Sequence, residues 1–291
     1  MARYVPDVLS HRWVIISEGR VQRPDNFAEK KADVCPFCPG NEQMSAPEVF
    51  RIGEGMAEQP GWQVRVVSNK FPITDFHEVI IHSPDCDREI DELPPEAMEN
   101  VLKAYRQRYN FYREKGQVMI FCNHGEQAGA SIKHPHSQLV VIPFQINLDL
   151  LSCEPIANVI EQNNDFTVYC PDFSQWPYEV WIAAKETKGV FGDITDEQIT
   201  NLSHILQKMI QRLRQVHATA PLSSLPFGFN YYIHPKENWY LRIVPRFIHR
   251  AGFELGTGLS VNIVDPIDAA RAYQGVDQKT AAVMDKLKSL T

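Results

Sequence analysis

His134-Pro135-His136-Ser137-Gln138-Leu139-Val140-Val141-Ile142 reads as a β-strand whose first half is polar and whose second half is apolar. Side chains alternate along a strand, so His134, His136 and Gln138 share one face while Ser137 and Leu139 take the other. Burying two imidazoles and an amide without partners costs roughly several kcal/mol, so something on that face must satisfy them. Just upstream runs a loop of small residues, Asn123 to Lys133, preceded by a strand at 117–122. Before that, Pro94-Pro95-Glu96 opens a helix over 94–114, with Met98, Val101, Leu102, Tyr105 and Tyr109 at helical spacing. Two β-rich runs, 62–68 and 77–82, come first, and residues 9–17 read as a further strand.

The second half repeats this order. Strands at 166–170 and 179–184 lead to a helix opened by Thr195-Asp196-Glu197 and carrying Ile199, Leu202, Ile205, Leu206, Met209, Ile210 and Leu213. Strands at 227–233 and 239–245 follow. Phe71-Pro72 then Glu78-Val79-Ile80-Ile81 resembles Trp176-Pro177 then Glu179-Val180-Trp181-Ile182. Two strand–strand–helix–strand–strand units imply an internal duplication, with repeats at 1–150 and 151–291. The expected class is α+β, with mainly antiparallel sheets and helices packed on one face. No Gly-x-Gly-x-x-Gly follows a strand, and no Walker-type loop occurs.

Composition narrows the field. The net charge of −7, with Lys and Arg spread along the chain, makes nucleic acid an unexpected partner. No apolar run approaches the roughly 18 residues that span a bilayer, and Met1 to Asp7 lacks a signal-peptide core. A cytoplasmic location without membrane attachment is the expectation. Six cysteines without a signal peptide do not suggest a disulfide framework. Cys122, Cys153 and Cys170 sit in or beside apolar stretches and read as plain thiols.

The chemistry concentrates in three places. A neutral imidazole is a competent nucleophile near pH 7, which makes His136 a candidate to take a phosphoryl or nucleotidyl group. Gln138 beside it supplies an uncharged amide donor. The loop Asn123-His124-Gly125-Glu126-Gln127-Ala128-Gly129-Ala130-Ser131 lets phosphate oxygens approach backbone N–H groups. Cys35-Pro36-Phe37-Cys38 has the gap of a zinc knuckle and needs two more ligands, with His77, His82, Cys86, His124 and His134 as candidates. Ligation by His134 would lock the strand that presents His136, making such a zinc structural and not a Lewis acid.

Together these motifs resemble the galactose-1-phosphate uridylyltransferase branch of the histidine-triad superfamily. The likeness begins at Leu9-Ser10-His11-Arg12-Trp13-Val14-Ile15 and Arg20-Val21-Gln22-Arg23-Pro24. It continues through Asn69-Lys70-Phe71-Pro72, the 123–131 loop and the His136 strand to Gly252-Phe253-Glu254. The resemblance implies a covalent nucleotidyl-His136 intermediate and ping-pong kinetics, with nucleotide sugar and sugar phosphate as substrates. It implies that Gln138, Ser131, Asn69, Asn123 and Gly129 contact nucleotide or phosphate, and that Glu254 contacts the hexose. It also implies a homodimer in which Arg20 and Arg23 serve the partner's site. The family's third zinc ligand is a His after Ser-Pro-Asp; here Ser83-Pro84-Asp85 precedes Cys86, so the implied set is Cys35, Cys38, Cys86 and His134. Arg242 and Val244 stand where some members carry a second metal-binding His pair, so no second metal or active site is expected, although His234 matches one ligand position. The sequence leans towards uridylyl transfer between UDP-glucose and a hexose 1-phosphate. The alternatives are adenylyl transfer from ADP-glucose to phosphate, a nucleotide hydrolase, and a non-catalytic zinc-bearing sensor.

Overall fold

A computed structural model describes residues 2–7, 13–22, 34–148, 151–186, 188–220 and 225–275. The N-terminal hairpin pairs β1 (Arg3–Pro6), which the sequence did not suggest, with β2 (Trp13–Ile16), which lies inside the run expected at 9–17, of which 9–12 fall outside the described residues. Next come β3 (Glu48–Gly53), β4 (Trp62–Ser68), β5 (His77–Ile81), α1 (Pro95–Tyr112), β6 (Gln117–His124) and β7 (His136–Ile142). The second half holds β8 (Val159–Gln162), β9 (Phe166–Tyr169), β10 (Val180–Ala184), α2 (Asp196–Thr219), β11 (Phe229–Ile233), β12 (Tyr240–Pro245), α3 (Gly252–Thr257) and α4 (Pro266–Gln274).

All strands from β3 onward join one antiparallel sheet, in the order β3-β4-β5-β7-β6-β11-β12-β10-β9-β8. The order reads the same from both ends, with β6 and β11 meeting at its centre. There Asn123 lies opposite Asn230, and the Asn230 amide donates to Asn123 Oδ1 at 2.9 Å. The two halves share one continuous sheet. Pairing β6 with β11 removes the exposed edge that each half would otherwise carry.

The helices α1, α2 and α4 cover one face and share one apolar core with it. Pro95 sits at the first turn of α1, where a missing N–H costs nothing. Thr195 caps α2 in a capping box with Gln198. Ile80, Leu139 and Val141 from the first half, and Val180, Ile182, Leu241 and Ile243 from the second, point into this core. The opposite face carries His136 and Gln138, with smaller apolar clusters around Phe37, Val67 and Ile81 and around Val140 and Ile142.

One proposed match between the halves is a residue out of register. Glu78 points to the helix side, where Arg108 Nε and Nη2 donate to it at 2.9 and 2.6 Å and Tyr112 donates at 2.8 Å. Glu179 precedes Val180 of the core and so faces the opposite side, where Arg242 holds it at 2.7 and 2.8 Å. A shift of one residue exchanges the two faces of a strand, so these carboxylates are not counterparts.

Candidate active site

The strand β7 begins at His136, two residues later than expected, because Pro135 has no N–H for the ladder. The carbonyl of Pro135 still accepts from the His82 N–H at 3.1 Å. His136 is buried, and its Nδ1 lies 2.8 Å from the carbonyl oxygen of His134. A carbonyl only accepts, so Nδ1 carries the proton and the lone pair of the neutral ring resides on Nε2. Phe37 packs edge-on against the ring, with centroids 5.4 Å apart.

Two cavities meet at His136 and Ile132. The first, about 290 Å³, is walled by Phe37, Asn69, Phe71, Ser131, His136 and Gln138. The second, about 250 Å³, is walled by Asn123, His124, Gly125, Glu89, Lys133 and His136. Ser131 and Gln138 therefore join His136 in the first, and Asn123 joins it in the second.

Gln138 is oriented by a residue whose role the sequence did not suggest. The Ile73 N–H donates to His77 Nδ1 at 2.9 Å, which leaves the ring proton on Nε2. That nitrogen donates to Gln138 Oε1 at 3.0 Å, so the Gln138 NH2 is the end left for a ligand. His77 thus supports the amide and is not a metal ligand. Asn69 is fixed by accepting from the Phe71 N–H at 2.8 Å.

The 123–131 loop is shaped by two glycines with positive φ, Gly125 at 87° and Gly129 at 80°. A side chain on Gly125 would press within 2.9 Å of the Phe227 carbonyl oxygen. Asn230 ties the loop down by donating to Asn123 Oδ1 and to the Ala128 carbonyl. His124 stacks on Phe229, with centroids 4.7 Å apart, and its Nδ1 faces Glu89 at 3.2 Å.

Behind β7, Ser137 faces a buried polar cluster. His82 Nε2 lies 2.7 Å from its hydroxyl, Tyr231 OH lies 3.2 Å away, and Tyr105 also contacts it closely. Burial, with His136 and His134 alongside, holds His82 far below the usual imidazole range, so it stays neutral. Its place in this cluster removes it from the set of candidate ligands. The cluster joins α1, β7 and β11 through side chains distant in sequence, which periodicity does not reveal.

The metal candidates converge. Cys35 Sγ and Cys38 Sγ each lie 3.6 Å from His134 Nδ1, and the three ligand atoms fall within 4.8 Å of one another. A tetrahedral zinc with ordinary bond lengths separates its sulfur and nitrogen ligands by about 3.6 Å. His134 Nε2 donates to the Ser83 carbonyl at 2.8 Å, which leaves the Nδ1 lone pair for a metal. Burial, together with Cys35 and Cys86, pushes the Cys38 thiol up to about 12. Burial also opposes ionisation of Cys35, but the adjoining His134 ring and the Phe37 N–H, which donates to its Sγ at 3.4 Å, outweigh it and lower its pKa. Crowded thiols that cannot all ionise are what a divalent cation relieves. The residues present therefore fit such an ion. Cys86 touches the group through Cys38, although the tight trio does not include it.

Other expected site residues lie elsewhere. Arg20 donates to the Phe71 carbonyl of its own chain at 2.8 Å, at the margin of the first cavity. Glu254 caps α3 by accepting from the Ala251 N–H and lines neither cavity. Arg23 and the stretch Leu9 to Arg12 lie outside the described residues. In the second half, Arg242 is buried against Glu179, Trp181 and Tyr232. Among the described residues, no helix is long and apolar enough to cross a membrane.

Comparison with known proteins finds relatives over most of the chain. Residues 15–144 match the N-terminal domain of the domain of unknown function DUF4931. The chain is 29% identical to ADP-glucose phosphorylase from Arabidopsis thaliana, over 93% of this chain and 92% of that protein. It is 22% identical to galactose-1-phosphate uridylyltransferase from Thermotoga maritima, over 92% and 96%. Its fold superposes on the crystal structure of an ADP-glucose phosphorylase from Arabidopsis thaliana with bound ADP-glucose, with a TM-score of 0.72 and 27% identity, covering 95% of this chain and all of that one.

Proposed function

Since the chain belongs to the galactose-1-phosphate uridylyltransferase-like enzymes of the histidine-triad superfamily, we propose that it transfers a nucleotidyl group through a covalent bond to His136. The observation that carries this reading is the Nδ1 contact of His136 with the His134 carbonyl, which leaves Nε2 as the nucleophile where two cavities meet. Nε2 attacks the α-phosphorus of a nucleoside diphosphate sugar. The N–P bond forms, the bond to the bridging oxygen breaks, and sugar 1-phosphate leaves. An acceptor phosphate oxygen then attacks the same phosphorus, the N–P bond breaks and the neutral ring returns. The His134 carbonyl steadies the charge that Nδ1–H shares while the ring is nucleotidylated. The Gln138 NH2, Ser131 and the 123–131 loop are the donors we assign to the phosphate oxygens, with Asn69 and Gly129 beside them.

A zinc ion held by Cys35, Cys38 and His134, with Cys86 as fourth ligand, would fix the knuckle to the start of β7. Its contribution is structural: it holds His134, whose carbonyl orients His136.

For the substrate we favour ADP-glucose with inorganic phosphate as acceptor. Support comes from the 29% identity to the Arabidopsis thaliana ADP-glucose phosphorylase, against 22% for the Thermotoga maritima uridylyltransferase. Uridylyl transfer to a hexose 1-phosphate, towards which the sequence alone leans, is the second reading. Mixing the protein briefly with ADP-glucose or UDP-glucose, without acceptor, and recording intact mass under non-acidic conditions separates the two. An AMP-sized adduct that His136→Ala abolishes is expected. A UMP-sized adduct alone would shift the assignment to uridylyl transfer, and no adduct with either would remove the covalent mechanism.

We also propose a homodimer. Phe253, Leu255, Leu259, Val261 and Ile263 are 46–75% exposed on and after α3, a large apolar surface for a chain that stands alone. Light scattering should give twice the chain mass; a monomer would withdraw any role for Arg20 and Arg23 in a partner's site.

A further inference from the structure

The first cavity has walls of two kinds. One is sheet: Val67 of β4, Val79 of β5 and Gln138 of β7 lie side by side across three strands. The ladder fixes that wall. The other is Met44, Ser45 and Ala46, from the irregular stretch between the knuckle and β3, which makes a single 3-10 turn at Glu42–Met44. The N–H groups of Asn41, Met44 and Ser45 bond to carbonyls three residues back, which shapes the turn but does not tie it to the sheet. Side chains must do that.

Two buried charges supply the tie. Arg65 shares a face of β4 with Val67 and stands in the next row, which runs through Ile81 to His136. It has no exposed surface. Arg65 Nη1 donates to Ser45 Oγ at 2.8 Å and Nη2 to the Glu42 carbonyl at 3.3 Å, both in the turn. Its Nε donates to Glu48 of β3 at 2.8 Å, and Nη2 also donates to Glu58, between β3 and β4, at 2.7 Å. Glu42 is buried too and reaches the other way. Its Oε1 accepts from Trp62 Nε1 of β4 at 3.0 Å, and its Oε2 from the Gly40 N–H at 2.8 Å. From the far rim, Lys70 Nζ donates to the Met44 carbonyl at 2.5 Å. Neither Arg65 nor Glu42 lines either cavity. A buried guanidinium or carboxylate is costly unless well bonded, and here the bonds join the sheet to the irregular wall.

We propose that Arg65 and Glu42 are positioning residues for nucleotide binding, holding the Met44–Ala46 wall at its distance from Val67 and Val79 without touching the ligand. The inference rests on the reading that the first cavity takes the nucleotide. A largely apolar slot of about 290 Å³ with the Asn69 and Gln138 amides in its wall suits a base and ribose. Arginine fits this post because its planar fork serves four acceptors at once, which the single ammonium of a lysine cannot match.

The test uses the full-length protein with Arg65→Lys, which keeps the charge and loses the fork, and Glu42→Gln, which keeps the shape and loses one acceptor. Glu58→Gln is the milder variant should Arg65→Lys not fold, since Glu58 is 29% exposed and lines neither cavity. Transfer is measured with whichever of ADP-glucose and UDP-glucose the wild type turns over. Binding of AMP and UMP is measured by calorimetry, which needs no chemistry at His136 and so reads the wall even where the covalent mechanism fails. In Arg65→Lys and Glu42→Gln, KM for the nucleotide sugar and Kd for the nucleotide should rise about tenfold, while kcat and KM for the acceptor stay within about threefold. Glu58→Gln should shift them in the same direction by about threefold. Thermal unfolding and metal content are recorded alongside. Folded variants with unchanged KM and Kd would overturn the proposal, whatever their unfolding temperature, because the two residues would then be structural only. So would a fall in kcat with KM and Kd unchanged. A rise in KM that comes only with loss of metal would place the effect in the knuckle and overturn it as well.

Discussion

His136→Ala should lower nucleotidyl transfer by about 10⁴-fold or more, on the order of 5.5 kcal/mol of transition-state stabilisation, while zinc content stays unchanged. Removing a covalent nucleophile closes the route, whereas removing a positioning group only slows it. The neighbouring imidazoles cannot substitute. His77 accepts from Ile73 N–H and donates to Gln138, which engages both nitrogens. His82 is fully buried against Ser137 and Tyr105. His134 donates to the Ser83 carbonyl and turns Nδ1 to the two sulfurs. His124 lines the second cavity, but its Nδ1 faces Glu89 and its ring stacks on Phe229. The check is steady-state transfer together with intact mass, on His136→Ala and on His124→Ala as the comparison. The expected pattern is loss of both turnover and adduct in the first, and a retained adduct in the second. Full activity in His136→Ala, or loss of the adduct only in His124→Ala, would move the nucleophile to His124.

The sequence made the central strands legible because each is a long apolar run bounded by turn residues. The run expected at 62–68 is β4 to the residue, and Thr195 does cap α2. The outermost strands were not legible. β3 and β8 carry Glu48, Arg51, Glu161 and Gln162, and an edge strand needs charge to avoid pairing with other chains, so its apolar signal is weak. Within the site, His136 and the knuckle could be read because their meaning lies in local spacing. His77 as the support of Gln138, and the Ser137 cluster with Tyr105 and Tyr231, could not, since their partners stand 61, 32 and 94 residues apart. The false match of Glu78 with Glu179 has a related cause. Two buried strands with near-continuous apolar runs lack the alternation that fixes register, so composition aligned the acids where the faces do not.

Cys35→Ser should abolish stoichiometric zinc and lower the unfolding temperature by roughly 10 °C, the scale of about 3–5 kcal/mol in a chain of this size. The argument rests on what the knuckle holds together. Cys35 and Cys38 belong to a turn fastened by Cys38 N–H to the Cys35 carbonyl at 3.3 Å and by Asn41 Nδ2 to the same carbonyl at 2.9 Å. That turn also carries Phe37, which packs on both His134 and His136. Without the ion, His134 loses the partner of its Nδ1 and the knuckle loses its tie to the start of β7. Turnover should therefore fall as well, through misplacement of His136, and adduct formation should slow without vanishing. Cys86→Ser should cost less zinc affinity than Cys35→Ser, since Cys86 reaches the group only through Cys38. Metal analysis of the purified variants, with thermal unfolding alongside, decides the matter. Full zinc occupancy with an unchanged unfolding temperature in Cys35→Ser would mean that the three ligand atoms converge without serving a metal.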